Sequence, residues 1–171
     1  MADNPQIDIL SLPDASKKSI DFLGSSFFKV HGPARHLPTP AEVTALLEPG
    51  SNRTQPPPIR FEELDLLVKF GPHVSVSEAQ CLWVIRRTLG NRVPVPEVYA
   101  WRVDGQQVFI YMQLIRGHTL KDRWDSLTTS DRTAICHDLR EMLAVLRSLK
   151  PQSRDSFIGK LSRAPGLTCA G

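Results

Sequence analysis

Leu64-Asp65-Leu66-Leu67-Val68-Lys69-Phe70-Gly71 is followed closely by Ser75-Val76-Ser77-Glu78-Ala79-Gln80, and the fold is read from these two stretches. The first is a short apolar run with one charge, Lys69, near its end, which reads as a strand. The second opens with serine and places glutamate three residues on. That spacing predicts a capping box, in which Ser75 and Glu78 satisfy each other's backbone N–H groups at a helix start. Ala79, Leu82, Trp83, Ile85 and Leu89 then recur at helical intervals, and Gly90 stops the run. A lysine near a strand end is thus followed, nine residues on, by a glutamate in the first turn of the next helix. Taken alone, Lys69 reads as a solvated edge residue and Glu78 as a cap.

Downstream, Val93-Pro94-Val95-Pro96 is held extended by its prolines. Val98 to Val103 and Val108 to Leu114 are β-branched and aromatic, hence strands, and Asp104-Gly105 between them signals a tight turn. Gly117-His118-Thr119 predicts the cap of a short helix through Trp124. A long helix begins at Thr128 or Thr129, with Ile135, Leu139, Met142, Leu143, Leu146 and Leu149 on one face, and Pro151 ends it.

Upstream, Ile59-Arg60-Phe61 reads as a strand that could pair with the Leu64–Phe70 run. Ser51 to Pro58, with three consecutive prolines, is an extended linker. Thr39-Pro40-Ala41-Glu42 is a helix start with a capping box and proline at the first position. Asp14 to Phe22 is expected to be a short helix, Phe27 to Val30 a small apolar cluster, and residues 1–12 a loose tail.

A chain of 171 residues with 41% hydrophobic content can build one core. Its net charge of +3 is spread along the chain, which argues against nucleic acid as a partner. No apolar run reaches the ~20 residues that span a bilayer, and the N-terminus does not read as a signal peptide. Cys81, Cys136 and Cys169 are odd in number, lack metal spacing and fit unpaired thiols in a reducing cytoplasmic setting. The five histidines likewise lack metal spacing, so no metal site of protein ligands alone is expected.

From about Phe61 to Gly159 the chain resembles the aminoglycoside phosphotransferase family, particularly its many fungal members. The resemblance rests on Val68-Lys69-Phe70-Gly71, Glu78-Ala79-Gln80-Cys81-Leu82-Trp83, Val93 to Tyr99, Tyr111 to Gly117, Thr119-Leu120 with Trp124, Leu146-Arg147-Ser148-Leu149 and Phe157-Ile158-Gly159. It implies an α+β, protein-kinase-like fold that moves phosphate from ATP, with Mg2+, to a hydroxyl on a small molecule. It implies an N-lobe and hinge over 59–116, a small antiparallel sheet plus a helix, and the start of a helical C-lobe over 117–159. Residues 1–58 are then an N-terminal extension, and 160–171 a tail outside the resemblance. By the same resemblance Lys69 contacts the ATP phosphates, Glu78 holds Lys69, Met112 lines the back of the adenine pocket, and Gln113, Leu114 and Ile115 form the hinge.

The family's His-Gly-Asp with a following asparagine, and its later magnesium aspartate, have no counterpart in these residues. His118 is followed by Thr119, and His137-Asp138 falls within the long helix. The expectation is therefore a truncated kinase-like chain with no catalytic residue of its own, inactive as it stands. The small-molecule acceptor would belong to a fuller form. The alternative is a non-catalytic binding module. Six large apolar side chains on the helix at 129–149, each contributing ~1.5–3 kcal/mol when buried, make that face the expected contact for a protein partner.

Overall fold

The computed structural model describes residues 6–7 and 11–151. In chain order its elements are β1 (Gln6–Ile7), β2 (Ser19–Asp21), α1 (Ser26–His31), α2 (Pro40–Ala45), β3 (Ile59–Phe61), β4 (Leu66–Gly71), α3 (Val76–Leu89), β5 (Val98–Asp104), β6 (Gln107–Gln113), α4 (Leu120–Arg123), α5 (Thr129–Arg147) and β7 (Lys150–Pro151). Five strands form one antiparallel sheet in the order β2-β5-β6-β4-β3. Two-residue β1 and β7 pair separately, in parallel. The fold class is α+β, with five α-helices among the described residues.

Alternation along the strands builds two cores. Leu66, Val68 and Phe70 of β4, with Phe109 and Tyr111 of β6, face Phe27 and Phe28 of α1 and Val43 of α2. Leu67 of β4 and Ile110 and Met112 of β6 face the other way, against Ala79 of α3 and Trp101 of β5. The sheet is covered by α1 and α2 on one side and α3 on the other. A bulge between Val98 and Ala100 sends Tyr99 and Ala100 into the first core and returns Trp101 to the second. The β5–β6 hairpin closes through Gly105, whose φ of +56° suits a residue without Cβ.

Helix starts follow the sequence in three places. Thr39 with Glu42, Thr119 with Asp122 and Thr128 with Asp131 each form a complete capping box. The predicted box at Ser75 and Glu78 is a correction: the Ser75 side chain makes no cap bond, the Glu78 N–H donating to the Ser75 carbonyl at 3.0 Å while the Glu78 carboxylate turns to Lys69. Asp14 to Phe22 is a second correction, a turn followed by β2 rather than a helix. The Asp14 carboxylate accepts from the N–H and hydroxyl of Ser16, which closes a turn and competes with helix. Phe27 to Val30, expected as a cluster, is helical α1. The long helix ends at Arg147, with Ser148 as its C-cap, ahead of Pro151. The expected tail at 160–171, Phe157 to Gly159 and Cys169 lie outside the described residues, as does most of the tail at 1–12.

Candidate functional site

Lys69 is the one outward-facing charge on β4, flanked by buried Val68 and Phe70. Because strand residues alternate, it shares with Leu67 the sheet face that meets α3. Glu78 sits in the first turn of α3, and its Oε1 lies 2.5 Å from Lys69 Nζ. The pair is partly solvated, with the lysine side chain 46% exposed. Both residues line a cleft of about 510 Å³, together with Leu67, Met112, His73 and Pro56. Leu67 and Met112 are register partners on adjacent strands, so the cleft floor is apolar beside the ion pair. This arrangement can present an aimed cation to an anionic group and an apolar wall to whatever body carries it.

The remaining expected site residues fall elsewhere. Gln113 and Leu114 follow Met112 out of β6 but line a separate cleft with α1, Asp65 and Arg116. The Leu114 N–H donates to the Asp65 carbonyl at 2.8 Å, and the Gln113 N–H donates to the Glu97 carbonyl at 2.8 Å. Ile115 is 63% exposed. The segment is fastened by Arg116, which donates from Nη2 and Nε to Asp65 Oδ1. Asp65 takes a left-handed φ of 46° at the end of the 3-10 turn Glu62–Leu64, so the β3–β4 connection and the end of β6 are one locked corner.

Sequence reading missed the part of the linker that closes the cleft. Thr54, Gln55, Pro56 and Pro58 lie along it, and a Cβ on Gly71 would stand 3.0 Å from Pro56 Cδ. Gly71 carries a φ of +135°; in the sequence, the glycine itself and the proline run at 56–58 were the available signal. Cys81, close by on α3, is a free thiol; burial pushes its pKa up and the Glu78 carboxylate adds to the shift. It is thus a poor thiolate source. Among the described residues no group of three or more His, Cys, Asp or Glu side chains could hold a metal ion, and no helix is long and apolar enough to cross a membrane.

Comparison of the chain with protein families, curated proteins and solved structures gives no match.

Proposed function

We propose that this chain carries the nucleotide-binding part of an aminoglycoside-phosphotransferase-like small-molecule kinase, with its sheet and α3 serving as a kinase-like N-lobe. The observation that supports this reading is the 2.5 Å contact between Lys69 and Glu78 in the wall of a cleft lined by Met112. A flexible lysine is a mobile point charge, and a carboxylate beside it fixes its aim. In this role Lys69 holds the nucleotide phosphates, Glu78 orients Lys69, and Met112 with Leu67 offers the apolar surface for the base. Gln113, Leu114 and Ile115 serve as the hinge, with Arg116 bracing it against Asp65. Bound ATP would supply the phosphoryl group that a hydroxyl acceptor takes.

The described residues fit the nucleotide better than its metal. They bring no group of three or more ligating side chains together for magnesium. The His-Gly-Asp run is absent from the 171 residues. Nucleotide binding without turnover is therefore the activity assigned to these residues alone.

Titration with ATP by calorimetry, for the native chain and for Lys69→Met, tests the reading. The substitution should weaken binding by roughly tenfold or more, since it removes a charge-assisted contact. Stability should move by less than about 1 kcal/mol, as expected of a solvent-facing ion pair. Undiminished ATP binding in Lys69→Met would sink the proposal.

A second reading, a non-catalytic kinase-like module that acts through a protein partner, is favoured by α5. Its Leu139 and Leu143 are 45% and 48% exposed. A native mass equal to a single chain, unchanged on adding a lysate fraction from its source, would count against it.

A further inference from the structure

We propose that a second cleft, between the β2–α1 connection and the C-terminal half of α3, binds a small flat aromatic ligand carrying a single negative charge. This cleft has a volume of about 490 Å³ and lies apart from the Lys69 cleft, with no lining residue in common. Its size falls within the range of small-molecule sites.

Three independent features converge there. The first is an aromatic wall. Phe22 stacks against Trp83 with ring centroids 6.1 Å apart and planes 29° from parallel. Phe22 is also held edge-on by buried Trp101, at 5.6 Å. Such a braced wall suits a flat ring.

The second feature is charge. Arg87 lies over the Trp83 ring, 5.3 Å from its centroid, and has no carboxylate or carbonyl partner among the described residues. Its neighbour Arg86 is already engaged, donating to the Val95 carbonyl at 3.1 Å and standing 3.8 Å from Glu97. Glu97 also accepts from the N–H and hydroxyl of Ser26. One guanidinium is therefore available and one is neutralised. The Glu97 carboxylate, itself lining the cleft, repels a second negative charge on the ligand.

The third feature is Ser25, which lines the cleft and is 4% exposed. Its hydroxyl has no hydrogen-bond partner among the described residues. A buried polar atom left unpaired costs stability unless something supplies a partner, and an acceptor on the ligand would do so. A monocarboxylate on an aromatic ring satisfies wall, charge and hydroxyl together.

The probe is 2-naphthoate, followed by ligand-observed NMR on the full chain. Saturable binding at submillimolar to millimolar concentration is expected, weakened roughly tenfold in Arg87→Gln. Neutral 2-naphthalenemethanol should bind more weakly than 2-naphthoate and be indifferent to Arg87→Gln, and 2-naphthyl phosphate should bind no better than 2-naphthoate. Lys69→Met should leave naphthoate binding unchanged, which separates this site from the nucleotide cleft. Failure to saturate, equal affinity in Arg87→Gln with its melting curve unaltered, or tighter binding of the phosphate would each overturn the proposal. Trp83→Leu gives a second check on the wall, and retention of full affinity there would also count against it.

Discussion

The indole N–H of Trp101 donates to the main-chain carbonyl of Lys17 at 3.0 Å, across 84 positions of sequence. Trp101 is fully buried in the core under α3, and its register partner across the sheet is Ile20. One side chain thus ties β2 to the rest of the sheet and fills the space beneath α3. Trp101→Phe removes the donor and part of the volume while keeping an aromatic ring. It should lower stability by roughly 1–3 kcal/mol, read from urea unfolding monitored by far-UV circular dichroism. A change below about 0.5 kcal/mol, typical of surface positions, would mean that the bond to Lys17 does not form in solution.

Gly71 ends β4 with a φ of +135°, and an added Cβ would meet Pro56 Cδ at 3.0 Å and Cγ at 3.3 Å. Alanine there suffers both an unfavourable backbone and a clash. Gly71→Ala should cost about 1–3 kcal/mol. The clash, unlike the backbone cost, depends on Pro56, so Gly71→Ala in a Pro56→Ala background should cost measurably less. A double-mutant cycle with no coupling between the two positions would refute the contact.

The sequence contains two tyrosines, Tyr99 and Tyr111, and both are buried. Burial pushes the Tyr99 phenol above its ordinary value and Tyr111 up to about 12. The Tyr111 hydroxyl has no hydrogen-bond partner among the described residues. A folded-state pKa raised in this way favours the neutral phenol. The resulting contribution to stability is intact below the unfolded value of about 10 and fades as pH climbs from there toward 12. Absorbance at the tyrosinate band should therefore stay flat through pH 10 in the folded protein and rise together with unfolding. Half-ionisation of either tyrosine at its ordinary pKa, with the fold intact, would contradict the packing described.

On α5, Leu139 and Leu143 project into solvent, and no residue of the helix is buried. Leu139→Gln and Leu143→Gln should each change the stability of the chain by less than about 0.5 kcal/mol. A large core residue cut down costs several times that. Thermal melts of the single variants separate the two cases, and a loss above about 2 kcal/mol would show that the face is covered.

Much of this architecture was legible in the sequence because periodicity and capping act locally. Thr39 and Glu42, the β4 run and the hairpin around Gly105 each announce themselves within a few residues. Ser75 and Glu78 match the capping pattern equally well. What defeats it is Lys69, nine positions away on another element, which offers the carboxylate a better partner. β2 was misread for a related reason: Ser19–Asp21 is too short to show a period, and its partner Ala100–Arg102 lies far along the chain. At the candidate site, the pairing of Lys69 with Glu78 was expected only through the family resemblance, since the residues alone read as an edge lysine and a capping glutamate. The covering linker at Thr54–Pro58 and the cleft beside Trp83 and Arg87 were not, since each is made by segments whose meeting only the folded sheet decides.

The order of the sheet also sets a timetable for synthesis. β2, α1 and α2 leave the ribosome well before β5, the strand on which β2 pairs, which follows roughly 80 residues later. At ~5–20 residues per second, Phe27, Phe28 and Val43 spend on the order of several seconds without the surface they cover. The opening third of the chain is thus a latecomer in folding though an early arrival in translation. During that interval their uncovered apolar side chains are the surface a chaperone would meet.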